Sequence, residues 1–210
     1  MAVLSRSRIQ ERLKLPIDDP GGLVITPILD TAAFDDADSV DLRLGCHFLL
    51  PKSQQPLFSP DEQSSTSLHD HIHVPWGKFL VVPAHQTVLG ATLEFVKLPY
   101  DLSGEILTKS SVARTFILIE TAPWIHPLYR GCLTLEIANV SNTPVLLYPG
   151  RFIGQLILMQ VDGADNKQKL DATYFGPTYP EAPKFKNPAT ELHALGFPKV
   201  ALIKHDTSVR

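Results

Sequence analysis

The chain has 210 residues, 44% of them hydrophobic, and a formal net charge of −3, so it can bury the core of one domain. The small negative net charge excludes the extended positive surface that would attract a nucleic-acid polymer. No apolar run reaches the roughly 18 residues of a membrane helix. The charged N-terminus is unlike a signal peptide. Only two cysteines, Cys46 and Cys132, are present, which suits a reducing compartment, and we expect a cytoplasmic protein without a membrane partner.

The first predicted element is a short helix over SRSRIQERL, residues 5–13. Ser7 stands three residues before Gln10, as in a capping box, and Ile9 and Leu13 lie four residues apart on one face. Beyond this helix, the 18 prolines of the chain divide it into short segments typical of the strands of a sandwich or barrel. We therefore expect an all-β fold with a short N-terminal helix.

Alternating side chains predict the first strand, over SVDLRLGCHF, whose apolar face consists of Val40, Leu42, Leu44, Cys46 and Phe48. Further strands are predicted at KFLVVP, VLGATLEFVKLP, GEILTKS, TFILIE, GCLTLEIANVS and PVLLYPGRFIGQLILMQV. Residues 162–198 are polar and rich in proline without a clear period, which indicates a tail rather than a second domain. The predicted organisation is a β domain over residues 1–161 and a C-terminal tail over residues 162–210.

The segment HDHIHV places His69, His71 and His73 at alternating positions, so a strand would project all three from one side, with Asp70 facing away. Such a set occurs in some metal sites, but an exposed strand start is the simpler interpretation because the segment follows a polar loop. A zinc site of the nucleobase-deaminase type is not expected, since its signature contains a C-x-x-C pair that two distant cysteines cannot form.

A polar set, KSSVAR, follows the predicted strand GEILT and interrupts the apolar runs. Lys109 and Arg114 supply positive charge there, and Ser110 and Ser111 supply hydroxyl groups. Together with backbone N–H groups exposed at a turn, these side chains could bind the oxygens of a phosphate. A solvated polar turn between two strands is the alternative.

Glu136 lies in the predicted strand LTLEIAN, whose apolar face is formed by Leu133, Leu135 and Ile137. Alternation turns Glu136 the other way, toward solvent, a partner subunit or a cavity. An exposed strand residue is the simplest interpretation. If the face forms a site, partial desolvation would suit this carboxylate to the transfer of a proton.

Five motifs in this order resemble the dCTP deaminase family, a relative of the trimeric dUTPases: SVDLRLG, ATLEFVKLP, KSSVAR, TAPWIHPLYRGCLTLEIAN and YPGRFIGQLIL. The resemblance covers residues 3–187, including the opening VLSRSRIQERL and the LPIDDP after it. It implies a dUTPase-like distorted β-barrel or jelly roll, assembled as a homotrimer with nucleotide sites between subunits. The implied reaction is deamination of dCTP to dUTP and ammonia without zinc, with Mg²⁺ bound through the nucleotide triphosphate.

The resemblance also implies roles for individual residues. Glu136 would be the catalytic carboxylate, with Arg114 near it and the base. Ser110 and the backbone carbonyl of Ala122 would hold the reacting water or the 4-amino group. The residues expected to bind the substrate are Lys109, Ser111, His126, Gln155, Tyr179 and Lys184.

The sequence departs from the family pattern at several of these positions. Lys109 stands where an arginine is usual, His126 where an aspartate is expected near the sugar, and Leu128 where a glycine is expected. A glutamine expected in the tail is not obvious near Pro188. Two alternatives therefore stay open: a nucleotide diphosphohydrolase, alone or combined with deamination so that dCTP yields dUMP, and a catalytically weak nucleotide-binding regulatory protein.

Overall fold

The computed structural model describes residues 2–29, 38–52, 69–120, 122–165 and 176–184. Its elements, in chain order, are β1 (Ala2–Val3), α1 (Arg6–Leu13), β2 (Val24–Thr26), β3 (Val40–Arg43), β4 (His47–Pro51), β5 (His69–His73), β6 (Leu80–Val82), β7 (Thr87–Lys97), β8 (Leu102–Thr108), α2 (Ser110–Ala113), β9 (Ile117–Ile119), β10 (Trp124–Ile125), β11 (Arg130–Asn139), β12 (Val145–Leu147) and β13 (Phe152–Gln160). The expected all-β class with a short N-terminal helix is confirmed. Neither described helix is long and apolar enough to cross a membrane.

Two antiparallel sheets carry the fold. The first has the strand order β1-β13-β8-β10, with β3 also paired to β13, and the second has the order β5-β4-β7-β11-β9, with β2 also paired to β7. β6 and β12 form a separate two-stranded ribbon. Most spatial neighbours are distant in sequence, and this crossing of strands between two sheets fits the expected distorted barrel or jelly roll.

The inward faces of the two sheets share one apolar core. Its members include Val40, Leu42, Ile106, Leu156 and Leu158 from the first sheet and Val88, Val96, Leu133, Leu135 and Ile137 from the second. Ile9 of α1 is 1% exposed and Leu13 packs against the same cluster. The predicted apolar face of the helix is therefore confirmed, and its burial holds α1 to the barrel.

The predicted capping box at Ser7 and Gln10 is wrong. The N-cap of α1 is Ser5, which makes no side-chain cap hydrogen bond. Instead, the backbone N–H of Arg6 donates to Oδ1 of Asp38 over 2.8 Å. A carboxylate that is remote in sequence thus satisfies a free amide of the first turn, the role that a local cap residue usually has.

The single strand predicted over SVDLRLGCHF is divided between the two sheets. Its first part is β3, which pairs with β13, and its second part is β4, which pairs with β5 and β7. Gly45 lies at the crossing, where its N–H donates to the carbonyl oxygen of Ala91 over 2.8 Å and a Cβ would stand 3.1 Å from the same oxygen. This close approach of two backbones favours glycine.

A buried ion pair joins the two sheets and breaks the expected alternation. Arg43 of β3 is only 6% exposed, its Nη1 lies 3.4 Å from Oε1 of Glu94 on β7, and its Cζ lies 3.9 Å from the centroid of the Phe152 ring. Burial raises the pKa of Glu94, against the opposing effect of its hydrogen bonds and of the Arg43 charge. The two charges compensate each other in a region that water cannot solvate.

We predict that Glu94→Gln destabilises the fold, because the buried guanidinium of Arg43 loses its carboxylate partner. The expected loss is about 3 kcal/mol in the free energy of unfolding, measured from urea transitions at equal protein concentration. Glu11→Gln is the matched control, since its pair with Arg8 (3.1 Å) is exposed and the change should stay under about 1 kcal/mol. Equal shifts in the two variants would contradict the structural role of the buried pair.

Candidate active site

The polar set KSSVAR forms a one-turn helix rather than an open turn. Lys109 is the N-cap of α2 and Arg114 is its C-cap, and the N–H of Lys109 donates to the carbonyl oxygen of Ile153 on β13 over 3.0 Å. Ser110, Ser111 and Arg114 are all exposed. The end of β8 thus presents two hydroxyl groups and a guanidinium on a segment that is fixed to the neighbouring strand.

Lys109 differs from the rest of this set because it bonds within the protein. Its Nζ makes an ion pair with Oδ2 of Asp41 on β3, and it also lies 5.3 Å from the centroid of the Phe152 ring. Asp41 belongs to the outward face of a predicted strand, but nothing in the sequence shows that it meets a lysine 68 positions away. The ammonium expected to bind phosphate therefore already has a carboxylate partner in this conformation.

Gln155 of β13 lies beside this pair. It is half-buried, and its cross-strand neighbours are Asp41 on β3 and Leu107 on β8. The sheet therefore brings Gln155 and KSSVAR to one region of the protomer. A cleft of about 490 Å³ adjoins them, lined among others by Lys109, Ser111, Tyr148 and Arg151. Sequence reasoning did not single out Arg151, which adds an exposed cation to this region.

Glu136 projects from the middle of β11, between the fully buried side chains of Leu135 and Ile137. Its side chain points away from the core, as alternation predicted, but it is half-buried rather than exposed. Its carbonyl oxygen accepts the N–H of Glu120 over 2.8 Å. Ala122 follows two residues later and is exposed, so its backbone carbonyl lies at the same end of β9 as the carboxylate.

Arg114 and Glu136 are at opposite ends of β9 within one protomer. α2 leads into the start of this strand, where the N–H of Val140 donates to the carbonyl oxygen of Phe116 over 3.0 Å. Glu136 bonds to the residue after the other end of the strand. At about 3.3 Å per residue, the three-residue strand between them separates the two backbone positions by roughly 10 Å. The resemblance placed them together, and a single protomer does not show that arrangement.

His126 occupies the exposed turn between β10 and β11. Its carbonyl oxygen accepts the N–H of Tyr129 over 3.2 Å, and the N–H of Leu128 donates to the carbonyl oxygen of Pro99 over 3.3 Å. Leu128 has φ 67°, a left-handed conformation that glycine adopts without strain. The geometry accounts for the glycine expected at this position and shows that leucine is accommodated in the same turn.

The described part of the tail, residues 176–184, packs against β11. The N–H of Gly176 donates to the carbonyl oxygen of Arg130 and that of Cys132 to the carbonyl oxygen of Pro177, both over 2.7 Å. Tyr179 lies against His47, and Lys184 pairs with Glu181 at 2.5 Å. The other tail predictions, including the position of Pro188, lie outside the described residues.

Comparison with solved structures places this geometry in a known fold. The chain is similar to the 2′-deoxycytidine 5′-triphosphate deaminase from Agrobacterium tumefaciens, with a TM-score of 0.55 and 22% identity, covering 74% of this chain and 46% of that chain. At this identity, the likeness concerns the fold of a two-sheet β protein.

The sequence comparison identifies the family. Residues 3–161 match the dCTP deaminase-like family, and the chain belongs to it. Two relatives are each named a dUMP-forming dCTP deaminase. The one from Methanobrevibacter smithii is 34% identical over 75% of this chain and 79% of its own length. The one from Methanosphaera stadtmanae is 34% identical over 89% of this chain and 95% of its own length. The resemblance that the motifs predicted is confirmed.

We predict that Asp41→Asn strengthens the binding of inorganic triphosphate, because it frees the Lys109 ammonium and removes a negative charge beside KSSVAR. The expected gain is about 1 kcal/mol, or roughly fivefold in Kd, measured by calorimetry at low salt. The control is Asp70→Asn on β5: the Asp70 carboxylate lies 3.9 Å from Nζ of Lys52, and this change should leave the Kd unchanged. Weaker binding in Asp41→Asn would mean that the carboxylate holds Lys109 in the position that phosphate requires.

Proposed function

We propose that this protein hydrolyses dCTP in two steps, deamination to dUTP and then release of diphosphate to give dUMP. The observation that carries the proposal is the similarity to dUMP-forming relatives, one of which aligns over 95% of its own length. The exposed hydroxyls and guanidinium of KSSVAR support a nucleotide substrate, since they are groups that bind phosphate oxygens. A deamination that stops at dUTP is the second candidate. It is favoured by the five sequence motifs, because the reaction that their resemblance to the dCTP deaminase family implies gives dUTP and ammonia.

The deamination step rests on Glu136 as the general base. Its carboxylate takes a proton from water, and the resulting hydroxide attacks C4 of the cytosine. Glu136 passes this proton to N3 of the ring. The proton of the new hydroxyl group at C4 then moves to the 4-amino group as the C4–N bond breaks and a carbonyl forms at C4, so that dCTP and water give dUTP and ammonia. Ser110, Arg114 and the carbonyl of Ala122 hold the water and the developing charge in attack geometry. Partial burial of Glu136 on β11 supports this role, because it limits competing solvent.

The second step uses another water, which attacks dUTP to give dUMP and diphosphate. Ser111, Gln155 and Lys184 are the proposed phosphate contacts. Mg²⁺ arrives with the nucleotide in this proposal, since phosphate oxygens and water are the ligands it prefers and the carboxylate beside KSSVAR is already bound to Lys109. When bound, the ion neutralises charge on the phosphates.

A homotrimer with sites between subunits completes the proposal. Within one protomer Arg114 and Glu136 stand at opposite ends of β9, so a site containing both groups is best built from two chains. The β6–β12 ribbon supports association, because it displays apolar side chains of the kind that subunits cover. The exposed members of this apolar surface are Trp76, Phe79, Val81, Leu146 and Tyr148.

His126 and Tyr179 complete the set of proposed substrate contacts. A neutral imidazole at position 126 can accept only one hydrogen bond, whereas a carboxylate can accept several, so we propose that this residue changes the choice of sugar. Tyr179 was expected to bind substrate. We keep that role as a proposal for the nucleotide-bound state, because its ring lies against His47 in the structure.

We predict that the protein with Mg²⁺ and dCTP releases ammonia, diphosphate and dUMP in equal amounts. The products are identified by mass spectrometry over a panel of cytosine and uracil nucleotides. Accumulation of dUTP without diphosphate would establish the single-step reaction instead. If the wild-type protein binds these nucleotides but forms no product, both reactions are excluded and the nucleotide-binding regulatory role replaces them.

We predict that Glu136→Gln lowers the rate of deamination by roughly 10²- to 10⁴-fold with nucleotide binding retained, because the variant side chain keeps its shape but cannot accept the proton.

We predict that two inactive variants restore activity when their subunits are mixed. Arg114→Met and Glu136→Gln each destroy every site in a pure trimer, but random 1:1 trimers pair an intact KSSVAR with an intact Glu136 of a neighbour in about one quarter of sites. The measurement is ammonia release after co-refolding, with light scattering to verify trimers. If mixed trimers form and stay inactive, the site belongs to one protomer.

A further inference from the structure

Three histidines converge on the β4–β5 hairpin, outside the proposed nucleotide site. His47 is the cross-strand partner of His73, and His71 is opposite the neighbouring Leu49. Nδ1 of His47 lies 3.1 Å from Nε2 of His71, and the His47 ring centroid lies 4.8 Å from that of His73 and 5.2 Å from that of His71. The predicted alternation of the HDHIHV segment is confirmed, and the residue it could not reveal is His47.

The fourth member of this group is Tyr179 from the tail. Its ring meets the His47 ring edge-on, with the centroids 4.4 Å apart and an interplanar angle of 79°, and its centroid lies 6.1 Å from that of His71. Residues 176–184 are also bound to β11 by backbone hydrogen bonds at Gly176 and Pro177. Further along the segment, the N–H of Glu181 donates to Oγ1 of Thr134 over 3.1 Å. The histidines thus contact the segment between its two hydrogen-bonded parts.

The surroundings of His47 favour its neutral form. The groups that face it are His71 and His73 from β5 and Tyr179 from the tail. Of the nearby acids, Asp70 lies 3.9 Å from Lys52 and Glu181 pairs with Lys184. Burial, and then the charges of His73 and His71, lower the pKa of His47 from its ordinary 6.5. In the ranges that the structure covers, no three side chains of the metal-binding types are arranged to hold an ion.

We propose that His47, His71 and His73 form an anchor that holds residues 176–184 against β11 while the His47 imidazole is neutral and releases them when His47 gains a proton. The His47–His71 hydrogen bond needs one ring nitrogen without a proton, and two imidazolium rings at this distance present only donors. Added positive charges 4.8 to 5.2 Å apart between ring centroids also repel each other. His47 is therefore a positioning residue for the tail.

The sign of the pH dependence follows from the lowered pKa of His47. The released or unfolded chain binds more protons than the anchored one, so anchoring becomes stronger as pH rises. It is complete above the ordinary histidine pKa and is lost as pH falls through that value toward the lowered one. Lys184 lies on the same segment, so release also weakens triphosphate binding at low pH, a consequence that rests on the proposed function.

We predict that amide exchange in residues 176–184 and at Cys132, corrected for the intrinsic effect of pH, becomes faster when the pH falls from about 7.5 to about 5.5. The expected increase is about tenfold for each unit by which the pKa is lowered. Amides of β13 and β8 should stay protected over the same range. Hydrogen–deuterium exchange with mass spectrometry measures both sets without any need for catalysis, so an inactive enzyme leaves this test intact.

Matched variants separate the anchor from a general effect of acid. In His47→Gln the exchange of the segment should no longer depend on pH, whereas His85→Gln should respond like wild type, since His85 is an exposed histidine bonded to Asn142 at 2.9 Å. Tyr179→Ala should raise exchange at every pH, and Tyr179→Phe should stay close to wild type. A flat wild-type profile, an unchanged response in His47→Gln, or equal loss of protection in β13 would overturn the anchor.

Discussion

The pairing of β11 on both of its edges is the interaction on which the rest of the molecule depends. β7 bonds along one edge and β9 along the other, so the register of this one strand fixes which side chains face the core. Leu133, Leu135 and Ile137 fill that core, and Glu136 is thereby turned outward. A shift of one residue would exchange the two faces, so the position of the carboxylate and the stability of the barrel are set together.

Two ion pairs beside the Phe152 ring have a second, complementary effect. Arg43 and Lys109 both lie near the ring of Phe152, and each pairs with a carboxylate on another strand. The first pair is buried and the second is partly exposed, so solvent and ligands can compete only for the second. Arg43 therefore has a structural role, whereas Lys109 is able to change partners. Ser110, Ser111 and Arg114 stay exposed at the end of β8.

Local patterns predicted the longer strands and the outward position of Glu136, because alternation is a property of neighbouring residues, but they did not predict the short strands β1, β2 and β10. They also placed KSSVAR at the end of β8. They could not predict contacts between remote positions, such as Asp38 capping α1 across 32 positions or Glu94 pairing with Arg43 across 51. The strand break at Gly45 was missed for the same reason, since both halves keep the apolar alternation and only the position of β7 requires the crossing.

The turn after β10 holds two of the residues at which the sequence departs from the family pattern, His126 and Leu128. Leucine in a left-handed conformation costs about 1–2 kcal/mol relative to a relaxed backbone, yet Leu128 keeps φ 67°. The hydrogen bond from Leu128 to Pro99 and that from the Tyr129 hydroxyl to the carbonyl oxygen of Cys132, at 2.9 Å, hold the turn in place. Because these bonds hold the backbone of the turn, the difference at His126 is one of side-chain chemistry: an imidazole that can donate a hydrogen bond stands where the family pattern has a carboxylate that can only accept. In the proposed function, the choice of bound sugar therefore depends on this side chain.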